Sequence, residues 1–131
     1  MPIFNSADEV YEYVGGVFRE AASHPDVGPK LANVGATLQL HYTDPDAQIT
    51  VKMSDPIEVT TGEASTPADI HLYMRADDAD AFWRGKYSIP MGLAKGQVRA
   101  KGPVNKILKL VPATKPMFPI YEALTAGRNE A

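Results

Sequence analysis

The fold of this chain depends most on residues 82–111, FWRGKYSIPMGLAKGQVRAKGPVNKILKLV. Glycines divide this stretch into short elements, and the pattern predicts a helix that ends at Gly85, a helical turn that ends at Gly96 and a strand that ends at Gly102. Pro103 stands where another helix begins. The positions of these glycines and of Pro103 therefore predict several changes of direction within one short part of the chain.

Charge is divided unevenly along the sequence. Residues 1–80 carry 14 acidic and 4 basic side chains, whereas residues 81–121 carry eight basic and no acidic ones. The division indicates a local positive face on a protein whose net charge is -3, although pairing with acidic neighbours explains it equally well. The acidic overall balance argues against nucleic acid as a partner. An apolar, basic and glycine-rich segment is typical of a site for an apolar molecule with an anionic end.

The length of 131 residues predicts a single domain, 1–131, that buries its own core without cross-links. The sequence has no cysteine, which excludes disulfides, thiolate metal sites and a cysteine nucleophile. Its first residues lack the basic and apolar regions of a signal peptide, and no apolar run is long enough to span a bilayer. We therefore expect a cytoplasmic protein.

A capping box marks the first predicted helix, in which Ser6 and Glu9 satisfy free amide groups. Apolar residues then recur at helical spacing until Pro25, which ends the helix. From Thr37 the period changes to two, first with Leu38, Leu40 and Tyr42 in the apolar phase, and the alternation predicts four strands within 37–74, joined by short turns. Strands joined in this way form an antiparallel meander with one apolar face.

Residues 97–101 alternate again and predict a fifth strand. The helix that begins at Pro103 is predicted to break at Pro112 and Pro116. The order of elements predicts an α+β fold, with a five-stranded, largely antiparallel sheet covered on one face by helices. Large, flexible apolar residues in the last third either line a cavity between sheet and helices or fill a solid core, and their pattern fits both.

No group of residues in the sequence is arranged to carry out a reaction. His24, His41 and His71 lack the spacing of metal ligands. The serines lack a nucleophile motif, the glycines do not form a phosphate loop, and the paired acidic residues are explained as turn and cap residues. We therefore predict no catalytic residue, no metal and no cofactor, and expect that the protein is not an enzyme.

A family resemblance is carried by residues 68–103, ADIHLYMRADDADAFWRGKYSIPMGLAKGQVRAKGP. The segment resembles the sterol carrier protein-2-like family of small lipid-binding domains, with its strand, acidic helix cap, aromatic helix, helical turn and glycine-framed strand. The matching landmarks are Asp69, Phe82, Gly85, Gly96 and Gly102. Proteins of this family often end in a helix across the cavity mouth, and here that part is interrupted by prolines.

The resemblance implies non-enzymatic binding and transfer of an apolar small molecule, such as a fatty acid, an acyl-CoA or a sterol-like lipid, in an internal hydrophobic cavity. The residues predicted to bind this ligand are Val14, Phe18, Leu72, Met74, Phe82, Trp83, Met91, Val104, Ile107, Leu108, Met117, Phe118 and Tyr121. The residues predicted to contact a head group or an anionic membrane are Lys95, Arg99, Lys101, Lys106 and Lys109. An alternative is an accessory or dimerisation domain that docks on another protein, or as a homodimer, through its apolar C-terminal helix at 117–124.

Overall fold

A computed structural model describes residues 3–64 and 67–129, without the side chains of Val104 and of residues 127–129. Helix α1 consists of three contiguous segments, the middle one a π-helical turn, and a 3₁₀ turn at Lys115–Met117 separates the last two helices. The helices are α1 (Ala7–Val10, Tyr11–Gly15 and Gly16–Ser23), α2 (Val27–Ala32), α3 (Ala76–Trp83), α4 (Ile89–Ala94), α5 (Val104–Thr114) and α6 (Phe118–Asn129).

The predicted cap by Ser6 is confirmed at the start of α1, whereas the Glu9 carboxylate accepts from the residue before the cap and not from Ser6. The Glu9 N–H donates a hydrogen bond of 3.3 Å to the Ser6 hydroxyl oxygen, and the Asn5 N–H donates one of 3.1 Å to the Glu9 carboxylate. Two otherwise unpaired amides are thereby satisfied, which favours helix initiation at this point.

The predicted α+β class, with a largely antiparallel sheet, is confirmed. Five strands form one sheet in the spatial order β3-β2-β1-β4-β5. All neighbouring pairs are antiparallel except β1 and β4, which are parallel. The strands are β1 (Ala36–Thr43), β2 (Ala47–Met53), β3 (Glu58–Thr61), β4 (Ile70–Arg75) and β5 (Arg99–Lys101).

The predicted four-stranded meander is wrong, because only β1, β2 and β3 follow one another as neighbours. Strand β4 leaves β3 and pairs with the far side of β1. Burial explains the difference: β3 has no fully buried residue and suits an edge, whereas β4 buries Ile70, Leu72 and Met74. Alternation reports which face of a strand is apolar but not which strand lies beside it.

Asp69 sets the register of the parallel pair. Its carboxylate accepts a hydrogen bond of 2.8 Å from the Thr37 N–H, and its own N–H donates one of 2.9 Å to the Thr37 carbonyl. The next residue, Ile70, pairs with Leu38, so the apolar residues of both strands fall on the same face.

The predicted break of the helix at Pro112 is also wrong, because α5 continues through this residue to Thr114. Proline removes the bond to the carbonyl four residues earlier, which belongs to Leu108. The side chains of Pro112 and Leu108 are both exposed. Since this side of the helix faces solvent, water can satisfy the carbonyl, and the helix persists.

The core lies between the helices and the apolar face of the sheet. Among its most deeply buried side chains are Phe18 of α1, Leu38 of β1 and Tyr121 of α6. In the described part of the chain, no helix is both long and apolar enough to cross a membrane. The helices are buried against the sheet, and a ligand site is expected in the space between these two layers.

Candidate functional site

A small apolar cavity of about 30 Å³ lies between the sheet and the helices. Its wall combines side chains from β1 and β4 with side chains from α1, α3, α4 and α5. The lining residues are Phe18, Leu38, Leu40, Tyr42, Leu72, Met74, Phe82, Trp83, Ile89, Ile107, Leu110, Val111 and Thr114. Apart from the hydroxyls of Tyr42 and Thr114 and the indole N–H of Trp83, these side chains offer only carbon and sulfur to a ligand.

Six of the residues predicted to bind ligand meet in this wall: Phe18, Leu72, Met74, Phe82, Trp83 and Ile107. They come from the four elements α1, β4, α3 and α5, of which only β4 and α3 follow one another directly in the chain. The fold therefore brings them together around one space. Whether they contact a bound ligand stays a prediction.

Other predicted ligand residues lie elsewhere. Val14, Met117 and Tyr121 are buried in the core but do not line the cavity. Met91 and Leu108 are 55% and 64% exposed and also lie outside the lining.

The two remaining predicted ligand residues are Phe118 and Val104. Phe118 packs edge-on against the rings of Phe82 and Trp83, with centroids 5.4 and 6.1 Å apart, behind the wall. The side chain of Val104 lies outside the described residues.

Seven lining residues are not among the predicted ligand residues, although the sequence patterns indicate some of them as inward-facing. Leu38, Leu40 and Tyr42 occupy the apolar phase of β1, which alternation had already identified. On α5 the apolar face predicted from helical spacing includes Val111 as well as Ile107, whereas Leu110 and Thr114 lie outside that face. The missed residues outside β1 are Ile89, Leu110, Val111 and Thr114.

The cavity is much smaller than a ligand. Pockets that hold small molecules usually measure about 300–1,000 Å³, whereas about 30 Å³ is the share of one water molecule in the liquid. The space is therefore nearly filled by side chains, and a larger occupant requires part of the wall to move.

A buried polar network supports α3 beside the cavity. Asp80 accepts a hydrogen bond of 2.7 Å from the Tyr121 hydroxyl and one of 2.9 Å from Arg84 Nε. The Arg84 guanidinium also lies 5.5 Å from the centre of the Tyr121 ring. Burial, and then the Asp80 carboxylate, raise the pKa of Tyr121 above its ordinary value, so its hydroxyl stays protonated as a donor.

The predicted head-group cations fall into two groups. Arg99 Cζ and Lys101 Nζ of β5 each lie 5.6 Å from the centre of the Tyr73 ring, and Lys95 is exposed at the end of α4. On α5, Lys106 Nζ donates a hydrogen bond of 2.9 Å to the Gly35 carbonyl, and Lys109 is exposed. None of these five side chains lines the cavity.

A pair of histidines occupies the opposite face of the sheet. His41 Nε2 and His71 Nδ1 are 3.1 Å apart, and the His41 ring stacks on Tyr73 with centroids separated by 4.4 Å. Burial, and then the charges of His71 and Lys101, lower the pKa of His41. Within residues 3–64 and 67–129, no cluster of three or more His, Cys, Asp or Glu is arranged to hold a metal.

A wider groove of about 630 Å³ runs beside the junction of α1 and α2. Its lining includes polar turn residues such as His24, Asn33 and Asp55. Because polar groups line this groove together with apolar ones, it does not offer the dry surroundings that an apolar ligand needs. The cavity between sheet and helices fits such a ligand better.

Residues 17–115 match the family model described as the SCP-2 sterol transfer family. The match covers more than half of the chain, and the chain belongs to this family. The resemblance carried by residues 68–103 is thereby confirmed. No curated protein matches the chain.

Solved structures of this family share the fold at low sequence identity. Sterol carrier protein 2 from Yarrowia lipolytica, in its apo form, is 15% identical, with a TM-score of 0.66 over 89% of this chain and 94% of that one. Sterol carrier protein domain 2 of Helicoverpa armigera is 13% identical, with a TM-score of 0.71 over 85% and 89%. Palmitated SCP2L2 from Aedes aegypti is 18% identical, with a TM-score of 0.61 over 81% and 94%.

Proposed function

We propose that residues 1–131 form one domain that binds and transfers an apolar small molecule in the cytoplasm without altering it chemically. The observation that carries the proposal is the cavity wall, which is almost entirely apolar and is built from both layers of the fold. Membership of a sterol transfer family supports the same function. The absence of cysteine from the sequence fits a reducing compartment.

Ligand entry requires the cavity to widen, and α5 is the wall that we expect to move. This helix contributes Ile107, Leu110, Val111 and Thr114 to the lining. Pro112 deprives it of one internal hydrogen bond. The backbone hydrogen bonds of a helix lie within the helix, whereas those of a strand join it to its neighbours, so displacement of α5 breaks fewer backbone bonds than displacement of a sheet strand.

A long acyl chain is one ligand that this cavity would take once widened. Burial of about 15 methylenes contributes roughly 12 kcal/mol in total, at ~0.8 kcal/mol each. Immobilisation of the chain and displacement of α5 offset much of this, so we expect micromolar dissociation constants. The palmitated state of the Aedes aegypti relative supports an acyl ligand.

Titration with a fluorescent fatty acid tests the proposal. We expect saturable binding in the micromolar range, and binding at least about tenfold weaker in a Val111→Trp variant. Val111 is partly buried and lines the cavity, so an indole at this position occupies the space that the ligand needs.

The matched control is Leu108→Trp, one turn away on the same helix. Leu108 is exposed, so its replacement leaves the cavity unchanged and should leave the dissociation constant unchanged. Urea unfolding of both variants checks that each is folded. Absence of saturable binding to the folded wild-type protein would contradict the proposed function.

We further propose that the edge of the sheet formed by β5 contacts anionic membranes. Arg99, Lys101 and Lys95 are exposed there, and Met91 and Leu93 of α4 are exposed apolar side chains. Basic and apolar groups on one short stretch of chain suit a surface of anionic head groups over hydrocarbon.

Vesicle co-sedimentation tests this contact. Each basic side chain near an anionic surface contributes about 1 kcal/mol, so the Arg99→Gln, Lys101→Gln double variant should bind phosphatidylglycerol vesicles roughly 30-fold more weakly. The charge-matched control is Lys30→Gln, Lys115→Gln, at two exposed positions on other elements. Equal losses in the two double variants would show that only net charge matters, and would contradict a contact at β5.

The alternative of docking through 117–124 has less support. Met117 and Tyr121 are fully buried by their own chain, and Leu124 packs beside Gly16 of α1. The largest apolar side chains of this segment are therefore covered by its own chain wholly (Met117, Tyr121) or in part (Phe118, Ile120, Leu124).

A further inference from the structure

Tyr42 places a phenol in the wall of an otherwise apolar cavity. It lies on the inner face of β1, in phase with Leu38 and Leu40, and is only 4% exposed. Burial raises the pKa of its hydroxyl well above the ordinary value for tyrosine. The group therefore stays neutral and retains a proton to donate.

The hydrogen bonding of this phenol is incomplete. The indole N–H of Trp83 lowers the pKa of this phenol, but it can only donate and so cannot take the hydroxyl proton. Among the residues that the structure describes, no acceptor takes the Tyr42 hydroxyl proton. The Tyr121 hydroxyl differs, because it donates to Asp80.

The second hydroxyl of the wall is already engaged. Thr114 Oγ1 donates a hydrogen bond of 2.6 Å to the Val111 carbonyl within α5. Tyr42 is thus the hydroxyl in the lining that has a proton left to offer. A buried donor without an acceptor is destabilising, and a ligand that supplies the acceptor recovers this energy on binding.

We propose that the Tyr42 hydroxyl donates a hydrogen bond to an uncharged oxygen of the ligand and thereby selects oxygen-bearing lipids over hydrocarbons. The inference rests on the proposed function, since it assigns a ligand class to the same cavity. The oxygen is a hydroxyl or carbonyl rather than a carboxylate, because no basic side chain lines the cavity. A carboxylate beside one neutral donor would be a buried, uncompensated charge.

Displacement of a fluorescent fatty acid by two shape-matched compounds tests the proposal. One is a long-chain methyl ketone, and the other is the branched alkane in which a methyl group replaces the ketone oxygen. The quantity compared is the ratio of their dissociation constants in each variant, which cancels their different solubilities in water. In Tyr42→Phe the preference for the ketone should fall about tenfold, with little change for the alkane.

The control variant is Tyr121→Phe, which removes a buried hydroxyl that does not line the cavity. It should leave the ratio at the wild-type value. An unchanged ratio in Tyr42→Phe, or an equal weakening of both compounds, overturns the role of Tyr42 as a selective donor. Failure of both compounds to displace the bound probe from the wild type overturns the role of Tyr42 alone, whereas absence of saturable probe binding overturns the proposed function as well.

A second measurement needs no variant. A ketone labelled with carbon-13 at its carbonyl gives a separate infrared band, and this band moves to lower frequency when the oxygen accepts a hydrogen bond. In the wild-type complex the band should lie below its position in a hydrocarbon solvent. A band at the hydrocarbon position overturns the proposal even if Tyr42→Phe does not fold.

Discussion

Replacement of Gly102 by Ala is expected to lower the free energy of unfolding by about 4 kcal/mol, because steric overlap adds to backbone strain. Gly102 ends β5 with φ +131, a conformation that L side chains rarely adopt. An added Cβ would also overlap the Asp69 carbonyl oxygen and crowd the Ile70 backbone. Backbone atoms of a central strand cannot turn aside as a flexible side chain can. Urea denaturation followed by circular dichroism measures the loss.

Gly96 provides the matched control for this substitution. Its φ is +75, but an added Cβ would meet nothing within 4 Å. Gly96→Ala should therefore cost only the conformational strain, about 1–2 kcal/mol. Equal losses in the two variants would mean that β5 gives way easily, contrary to the tight contact between Gly102 and β4.

Replacement of Asp80 by Ala should cost about 3–5 kcal/mol, the usual effect of removing one partner from a buried ionic network. Asp80 is buried, and its carboxylate accepts from both Tyr121 and Arg84. The substitution leaves the Tyr121 hydroxyl without its acceptor and the Arg84 guanidinium without this carboxylate. Thermal and urea unfolding at neutral pH provide the measurement.

Two further variants separate the parts of this network. Asp78→Ala removes a less buried carboxylate from the same helix and should cost at most about 1 kcal/mol, through the helix dipole. Tyr121→Phe removes only the bond to Asp80 and should cost roughly 1.5–3 kcal/mol. A loss at Asp80 no larger than that at Asp78 would contradict a structural role for the network.

The apolar face of β1 shows which features of the structure an alternating sequence pattern can predict and which it cannot. Alternation identified Leu38, Leu40 and Tyr42 as inward residues, and all three line the cavity. It did not indicate that β4 lies beside them in parallel, because hydrogen bonds from Asp69 at a distant point of the chain set that pairing. Nor did it separate Tyr42 from its apolar neighbours, since the state of a hydroxyl depends on the groups packed around it.

Helix α5 shows the same limit. Its apolar spacing predicted a buried face with Leu108 and Val111, yet Leu108 is exposed, and Leu110 lines the cavity beside Val111. A helical period defines a stripe, but the rotation of the helix about its axis depends on how it leaves the sheet. The helix begins close after Gly102, which lies tightly against the backbone of Asp69 and Ile70.

Taken alone, the sequence determined the α+β class, the inward residues of the strands, the glycine-framed β5 and the family, because these follow from local periodicity, backbone freedom and motif spacing. The tertiary structure alone decided the order of the strands, the rotation of α5, the small volume of the cavity and the incomplete hydrogen bonding of Tyr42. Each of these depends on contacts between residues far apart in the chain, which no local pattern encodes.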